Sequence, residues 1–228
     1  MTYLVNNSYH SPVARVAIIG MGGLGCPAAV ALAEAGVALR LVDDDVVELS
    51  NLQRQILYST ADLGRSKLEV AAERLAVHRV PIELRAARLT TANAADLLTG
   101  CDLVLDATDD PAARFIVNDW GLDHGVPVVI GGVHRFQGMV LAHAGRGPCF
   151  RCLFEEEGPE VESCAIGGVL GAMAGLVGHL QAERALALLA GDHAGASGYL
   201  TTLDGLAARA RHIPLPDGCS RCSPALAA

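Results

Sequence analysis

Glycines at positions 20, 22 and 25 follow the apolar run Val16-Ala17-Ile18-Ile19, and Asp43 closes a second apolar run 23 residues after Gly20. This is the spacing of a nucleotide loop. The first glycine permits a tight turn, the second lets backbone approach phosphate, and the third lets the following helix pack closely on the strand. Phosphate then sits at the helix N-terminus, where free N–H groups and the dipole favour negative charge. An acid at the end of the second strand is placed to hold ribose hydroxyls. These residues alone leave open whether the nucleotide is an adenine dinucleotide or ATP. Arg54 and Lys67 follow in a loop and at a helix start, which a βαβ order brings to the carboxyl ends of the strands. Cations there suit more phosphate charge than a dehydrogenase handles, although most Arg and Lys are simply solvated surface. Asp109 stands just past the run Leu103-Val104-Leu105-Asp106-Ala107, where a carboxylate near phosphates is placed to hold Mg2+. It or Thr108 is alternatively the N-cap of a helix that starts at Pro111.

The second chemical signal is two pairs of thiols, Cys149-Phe150-Arg151-Cys152 and Cys219-Ser220-Arg221-Cys222. Four thiolates in two chelating pairs form the ligand set of a tetrahedral structural zinc. The 66 intervening residues exceed a local zinc ribbon, so the metal ties the tail of the chain back onto its body. A redox CxxC is the competing reading, but neither pair has a thioredoxin-like context. Three cysteines remain. Cys26, in the first turn after the glycine loop, is expected to be small buried packing, and Cys101 to be inert ahead of a core strand. Cys164 follows the acidic stretch Glu155-Glu156-Glu157-Gly158-Pro159-Glu160 and precedes Gly167-Gly168. On chemistry alone it is as much a candidate nucleophile as a packing residue.

The elements that must position these groups alternate. Arg15 to Ile19 reads as a buried parallel strand, Cys26 to Ala35 as an Ala-rich helix closed by Gly36, and Val37 to Val42 as a second strand. A helix is expected from about Ser66 to Val77. Short central strands are expected at Leu103 to Ala107 and Val126 to Ile130, with a helix across Pro111 to Leu122 between them. Phe136 to His143 begins an antiparallel return, Gly145 to Ser163 is a polar loop, and a helix runs from about Gly168 to Ala190, ahead of a Pro-rich tail from Ile213. The fold class is α/β: a Rossmann-like, mostly parallel sheet with helices on both faces, continuing into antiparallel strands and carrying a four-cysteine zinc site. The 228 residues are expected to form one domain, with a nucleotide-binding part at about 14–130 and a zinc- and partner-binding part at about 131–228.

In this order the motifs resemble those of the ThiF/MoeB/HesA family, bacterial relatives of the ubiquitin-activating enzymes. The likeness covers roughly Arg15 to Cys222 and rests on Gly20-x-Gly22-Gly23-Leu24-Gly25, on Leu41-Val42-Asp43-x-Asp45-x-Val47-x-Leu49-Ser50-Asn51-Leu52-Gln53-Arg54-Gln55, and on Gly64-x-x-Lys67. It continues through Asp106-x-Thr108-Asp109, Gly147-Pro148-Cys149-x-x-Cys152 and Cys164-x-x-Gly167-Gly168-Val169-Leu170-Gly171. The resemblance implies adenylation, with MgATP, of the C-terminal Gly-Gly carboxylate of a ubiquitin-fold sulfur carrier protein, releasing pyrophosphate ahead of thiocarboxylate formation. It implies that Gly20, Gly22, Gly23, Gly25, Asp43, Asn51 and Gln55 bind the nucleotide, that Arg54 and Lys67 neutralise its phosphates, and that Asp109 binds Mg2+. It aligns Cys164 with a cysteine that forms a sulfur link to the carrier. It also implies a homodimer and a cysteine desulfurase or rhodanese as sulfur donor, since no rhodanese sequence follows Cys222. Family members carry, before the first strand, an Arg that reaches into the partner subunit's ATP site. Met1 to Val13 contains neither Arg nor Lys. That leaves a second reading, a member of the same family that docks nucleotide and carrier without turnover.

Composition narrows the alternatives. With 51 % hydrophobic and 18 % charged residues the chain can build a real core. Its formal charge of -8 opposes sequence-independent binding to nucleic acid, which depends on Lys and Arg neutralising phosphates. The family's tRNA-modifying branch is disfavoured for the same reason and because it lacks the paired CxxC. The opening residues have no basic and apolar regions of a signal peptide, so the expected address is the cytoplasm. Ser163 to Ala182 has no Asp, Glu, Lys or Arg over twenty residues, long enough to span a bilayer. Its five glycines, His179 and Gln181 instead suggest a buried helix packed closely on a sheet or a second subunit.

Overall fold

The computed structural model describes residues 13–154 and 168–223. Eight strands form one sheet in the order β3-β2-β1-β4-β5-β6-β7-β8. They are β1 (Arg15–Ile19), β2 (Ala38–Val42), β3 (Ile82–Arg85), β4 (Leu103–Asp106), β5 (Val128–His134), β6 (Gln137–His143), β7 (Tyr199–Asp204) and β8 (Arg209–Pro214). The first five pair in parallel, with Val16 opposite both Leu39 and Leu103. From β5 onward every pairing is antiparallel, beginning with Gly132 opposite Met139. The helices are α1 (Gly25–Glu34), α2 (Lys67–Leu75), α3 (Ala94–Leu98), α4 (Pro111–His124), α5 (Gly171–Leu189) and α6 (His193–Ala196).

The continuous apolar runs of the central strands are explained by cover on both faces. Val16 and Ile18 of β1 pack with Leu39, Leu105 and Val129 beneath α1, α2 and α5. The alternate residues Ala17 and Ile19 pack with Val104, Ile130, Phe115 and Trp120 on the side of α3 and α4. A period of two therefore sends successive side chains into two separate cores. The uncharged glycine-bearing segment is seen from residue 168, and from Gly171 it forms α5. A Cβ on Gly178 would meet Leu24 O at 2.4 Å, so α5 lies almost backbone to backbone on the start of α1. Among the described residues no helix is long and apolar enough to cross a membrane.

Several boundaries differ from expectation. The helix after Ser66 ends at Leu75 and tightens into a 3₁₀ turn over Ala76–His78, closed by Arg79 in the left-handed region. Strand β5 runs on to His134 because β6 supplies it with an antiparallel partner. It passes positions 130 and 131, so the two expected parts share one sheet. Neither β3 nor the β7–β8 hairpin was anticipated. Sequence Ile82-Glu83-Leu84-Arg85 is too short and polar to read as a parallel strand, and all six residues of β8 are exposed at the sheet edge.

Candidate functional site

A cavity of about 230 Å³ opens at the carboxyl ends of the parallel strands. It sits where the sheet order reverses between β1 and β4, the crevice in which open α/β sheets bind ligands. Gly20 leaves β1 with φ of +90°, and a Cβ there would press on Ala107 O at 3.1 Å. A Cβ on Gly25 would stand 1.9 Å from Gly20 O, so the turn closes only with glycine at both ends. Gly20, Gly22 and Gly23 line the cavity, whereas Gly25 serves the turn from behind.

Asp43, Asn51, Arg54, Gln55, Lys67 and Asp109 all line the same space, although they come from four separate stretches of chain. Asp43 lies at the end of β2 and accepts the Met21 N–H at 2.6 Å through Oδ2 and the Asp45 N–H at 2.8 Å through Oδ1. It thus braces the glycine loop as well as facing the cavity. Lys67 begins α2 with its side chain only 5 % exposed, and its Nζ donates to Asp45 Oδ2 at 2.7 Å. A 3₁₀ turn at Leu49–Asn51 brings Asn51 round to accept from Arg54 Nη2 at 3.2 Å and Gln55 Nε2 at 2.9 Å. Arg54 is held by neutral acceptors, Ser50 O and Asn51 Oδ1, so its charge stays available to a ligand. Gln55 Oε1 is buried with no hydrogen-bond partner among the described residues.

Asp109 does not cap α4. The cap is Asp110, whose Oδ1 accepts the Ala112 N–H at 3.0 Å ahead of Pro111 in the first turn. The alternative role for Thr108 falls too, since its hydroxyl bonds Asp106 Oδ1 at 2.8 Å. Asp109 is left exposed at the cavity wall. Sequence reading passed over Asp45, Arg88, Asp110 and Arg114, which also line it. Arg88 pairs with Asp110 at 2.8 Å. Burial pushes the Asp110 carboxyl up, but the Arg88 hydrogen bond and charge outweigh it, so Asp110 lies below the usual range. The third acid of the Asp43-Asp44-Asp45 string was visible; Arg88 was not, because it follows the unread strand β3.

Cys149, Cys152, Cys219 and Cys222 converge with all four sulfurs within 4.8 Å of one another. The Cys149–Cys219, Cys152–Cys222 and Cys219–Cys222 separations are 3.9, 3.6 and 3.8 Å. Thiolates about 2.3 Å from a tetrahedral zinc stand about 3.8 Å apart, so the cluster has the dimensions of a metal cage. The first residue of each pair has its backbone N–H donating to the second sulfur, Cys149 N to Cys152 Sγ and Cys219 N to Cys222 Sγ, both at 3.3 Å. Burial, and then the neighbouring sulfurs, push the Cys149 thiol up, a crowding that a cation would relieve. Arg151 and Arg221, one inside each pair, both reach Asp119 of α4. The tail is therefore tied to the body by charge as well as by the thiol cluster. Cys26 is fully buried with its thiol pushed up to about 12 by burial, and burial raises Cys101 as well, so both are packing residues. Cys164 lies outside the described residues, as do residues 1–12.

A doubly wound sheet that runs on into antiparallel strands, has a glycine turn at its switch point and carries a four-cysteine cluster defines a class of protein. The sequence profile of the ThiF family matches residues 12–223, and the chain belongs to that family. It is 41 % identical to a sulfur carrier protein adenylyltransferase of Thermus thermophilus over 211 residues, 88 % of this chain and 78 % of that protein. It is 41 % identical to the SAMP-activating enzyme E1 of Haloferax volcanii over 84 % of this chain and 73 % of that one. Against the adenylyltransferase and sulfurtransferase MOCS3 of Sus scrofa it is 44 % identical, covering 92 % of this chain but only 48 % of that one, so it spans about half of that longer relative. Among solved structures, E. coli MccB with ATP superposes with a TM-score of 0.78 at 19 % identity, over 92 % of this chain and 66 % of that one, a likeness of fold alone.

Proposed function

We propose that this protein uses ATP to adenylate the C-terminal Gly-Gly carboxylate of a ubiquitin-fold sulfur carrier protein. A carboxylate oxygen forms a bond to the α-phosphorus, the bond from that phosphorus to the bridging oxygen breaks, and pyrophosphate leaves with the electron pair. Such a displacement needs in-line placement and charge neutralisation far more than an acid or a base. The observation that carries the reading is the meeting of the glycine loop with Asp43, Arg54, Lys67 and Asp109 on one cavity. The glycine loop and the start of α1 cradle phosphate, Asp43 holds the ribose, and Asn51 and Gln55 set Arg54 against the phosphates. Lys67 adds a second cation once a phosphate competes with Asp45 for its ammonium.

The hard oxygens of Asp109 and the neighbouring acids suit Mg2+, which when bound neutralises phosphate charge. Zinc is the ion we assign to the four cysteines, as a staple remote from the chemistry. The further partners in this reading are a second copy of the chain and a desulfurase or rhodanese that delivers sulfur, all in the cytoplasm. Cys164 is assigned to that later sulfur step.

The test is ATP–pyrophosphate exchange with a panel of purified carriers ending in Gly-Gly. Exchange with one carrier, lost in Arg54→Ala, is the expected result and names the pathway. No exchange with any carrier, from a folded protein that binds ATP, would overturn the reading.

A further inference from the structure

Of the cations around the cavity, one is placed differently from the rest. Lys67 is satisfied by Asp45, Arg88 by Asp110, and Arg54 by two neutral oxygens. Arg114, on the first turns of α4, makes no hydrogen bond among the described residues. Its side chain is 19 % exposed, and among the described residues its Nε is buried without a hydrogen-bond partner and its one ionic neighbour is Asp106 Oδ2 at 3.8 Å. A guanidinium carries five donors in a rigid fork, and a cation this buried is ordinarily paired and hydrogen-bonded. Here the fork is held but left unfilled.

Asp106 accounts for the holding. It ends β4 with no exposure, and its Oδ1 is occupied by the N–H and hydroxyl of Thr108 at 3.1 and 2.8 Å. Its Oδ2 has no hydrogen-bond partner among the described residues and is turned to Arg114. Gly132 of β5 lies on the other side, where a Cβ would stand 3.4 Å from Arg114 Nη2, so the fork reaches the β5 backbone.

Position decides what the fork is for. Asp43 and Ala87 to Leu89 belong to the β2 and β3 end of the cavity, the glycine loop and Thr108 to its middle, and Arg114 with Val133 to the β5 end. A nucleotide with its ribose at Asp43 and its phosphates over the glycine loop leaves the β5 end for the group that attacks the α-phosphorus. That group is an anion approaching a polyanion, so a cation there offsets the repulsion. Val133, Val169 and Ala174 give the same cavity an apolar lining that suits a small, uncharged stretch of backbone.

We propose that Arg114, oriented by Asp106, receives the C-terminal carboxylate of the protein to be adenylated. This rests on the function proposed above. Arg114 is the carboxylate-recognising residue and Asp106 its positioning residue.

The experiment takes the carrier that supports pyrophosphate exchange and prepares it with a free C-terminus and as the C-terminal carboxamide. Binding of each is measured by calorimetry in the presence of a non-hydrolysable ATP analogue. Wild type is expected to prefer the free carboxylate at least tenfold, the size of one charge-assisted hydrogen bond or more. Arg114→Gln should bind both forms alike within about twofold while retaining the ATP analogue, and Arg114→Lys should restore part of the preference. Asp106→Asn should weaken the preference without removing the cation. An Arg114→Gln protein that still prefers the carboxylate would overturn the inference and leave the proposed function standing. Loss of ATP-analogue binding in both Arg114 variants would overturn it as well, by making Arg114 part of the nucleotide site or of the fold. Failure of every carrier to support exchange would remove the proposed function itself.

Discussion

Replacing the buried His143 or the buried Asp106 with Asn should turn the pH dependence of stability in opposite directions. His143 ends β6 with no exposure; its Nδ1 accepts the Gly145 N–H at 3.1 Å and its Nε2 has no hydrogen-bond partner among the described residues. Burial lowers it from 6.5 to about 4, the nearby Asp119 only partly opposing this. A base whose folded value is depressed contributes stability above its unfolded value, and loses it as pH falls through the window between the two. Between pH 7 and 5 that loss is about 2 kcal/mol. Burial raises the Asp106 carboxyl from 3.8 to about 6, with Arg114 and Thr108 opposing. An acid raised in this way contributes stability that is present in acid and is lost as pH rises through 6, so over the same descent it gains about 1 kcal/mol. In the wild type the two together leave a net loss of about 1 kcal/mol. His143→Asn should therefore become more stable by about 1 kcal/mol on going from pH 7 to 5, and Asp106→Asn less stable by about 2 kcal/mol. Asn at 143 can still accept from Gly145, and the slopes carry the test, since the two substitutions shift absolute stability differently. Urea unfolding at pH 7, 6 and 5, at equal metal content, reads them. Parallel slopes in the two variants would refute the assignment of both buried groups.

Other consequences are more direct. Gly25→Ala places a Cβ 1.9 Å from Gly20 O and should cost about 3 kcal/mol, together with nucleotide binding; a thermal melt and an ATP titration check both. Cys149→Ser should lower the melting temperature and the bound zinc, which elemental analysis expects at one ion per chain in the wild type. Wild-type protein purified with no bound metal would remove the staple. Arg54→Ala and Asp109→Ala should each lower pyrophosphate exchange by about a hundredfold or more with an unchanged melt, because in the proposed site the first removes a cation from the phosphates and the second a carboxylate that holds Mg2+. Near-normal exchange in either would show that its residue is not in the site.

Where chemistry sits in contiguous residues, it was legible before folding. The glycine loop, Asp43 at the end of an apolar run and the two CxxC pairs each carry their geometry in local spacing. The packing of Gly178 on Leu24 O was foreshadowed by the small residues of the uncharged segment Ser163 to Ala182, though not which neighbour it would meet. The β7–β8 hairpin escaped notice because an edge strand with solvent on its open side needs no apolar run: β8 reads Arg209-Ala210-Arg211-His212-Ile213-Pro214. Strand β3 was missed for its brevity, and with it Arg88.

The sequence by itself thus determined the glycine turn and the thiol set, since a tight turn, a helix N-terminus and a chelating pair are each made by residues within a few positions of one another. Only the tertiary structure decided which acid caps α4, that Asp43 braces the loop it faces, and that Arg151 and Arg221 meet on Asp119. It alone set Arg114 against a carboxylate from the neighbouring strand and left the guanidinium without hydrogen bonds among the described residues. Burial and long-range pairing are properties of the packed sheet. An arginine on a helix reads the same whether it ends in water or beside a fully buried aspartate.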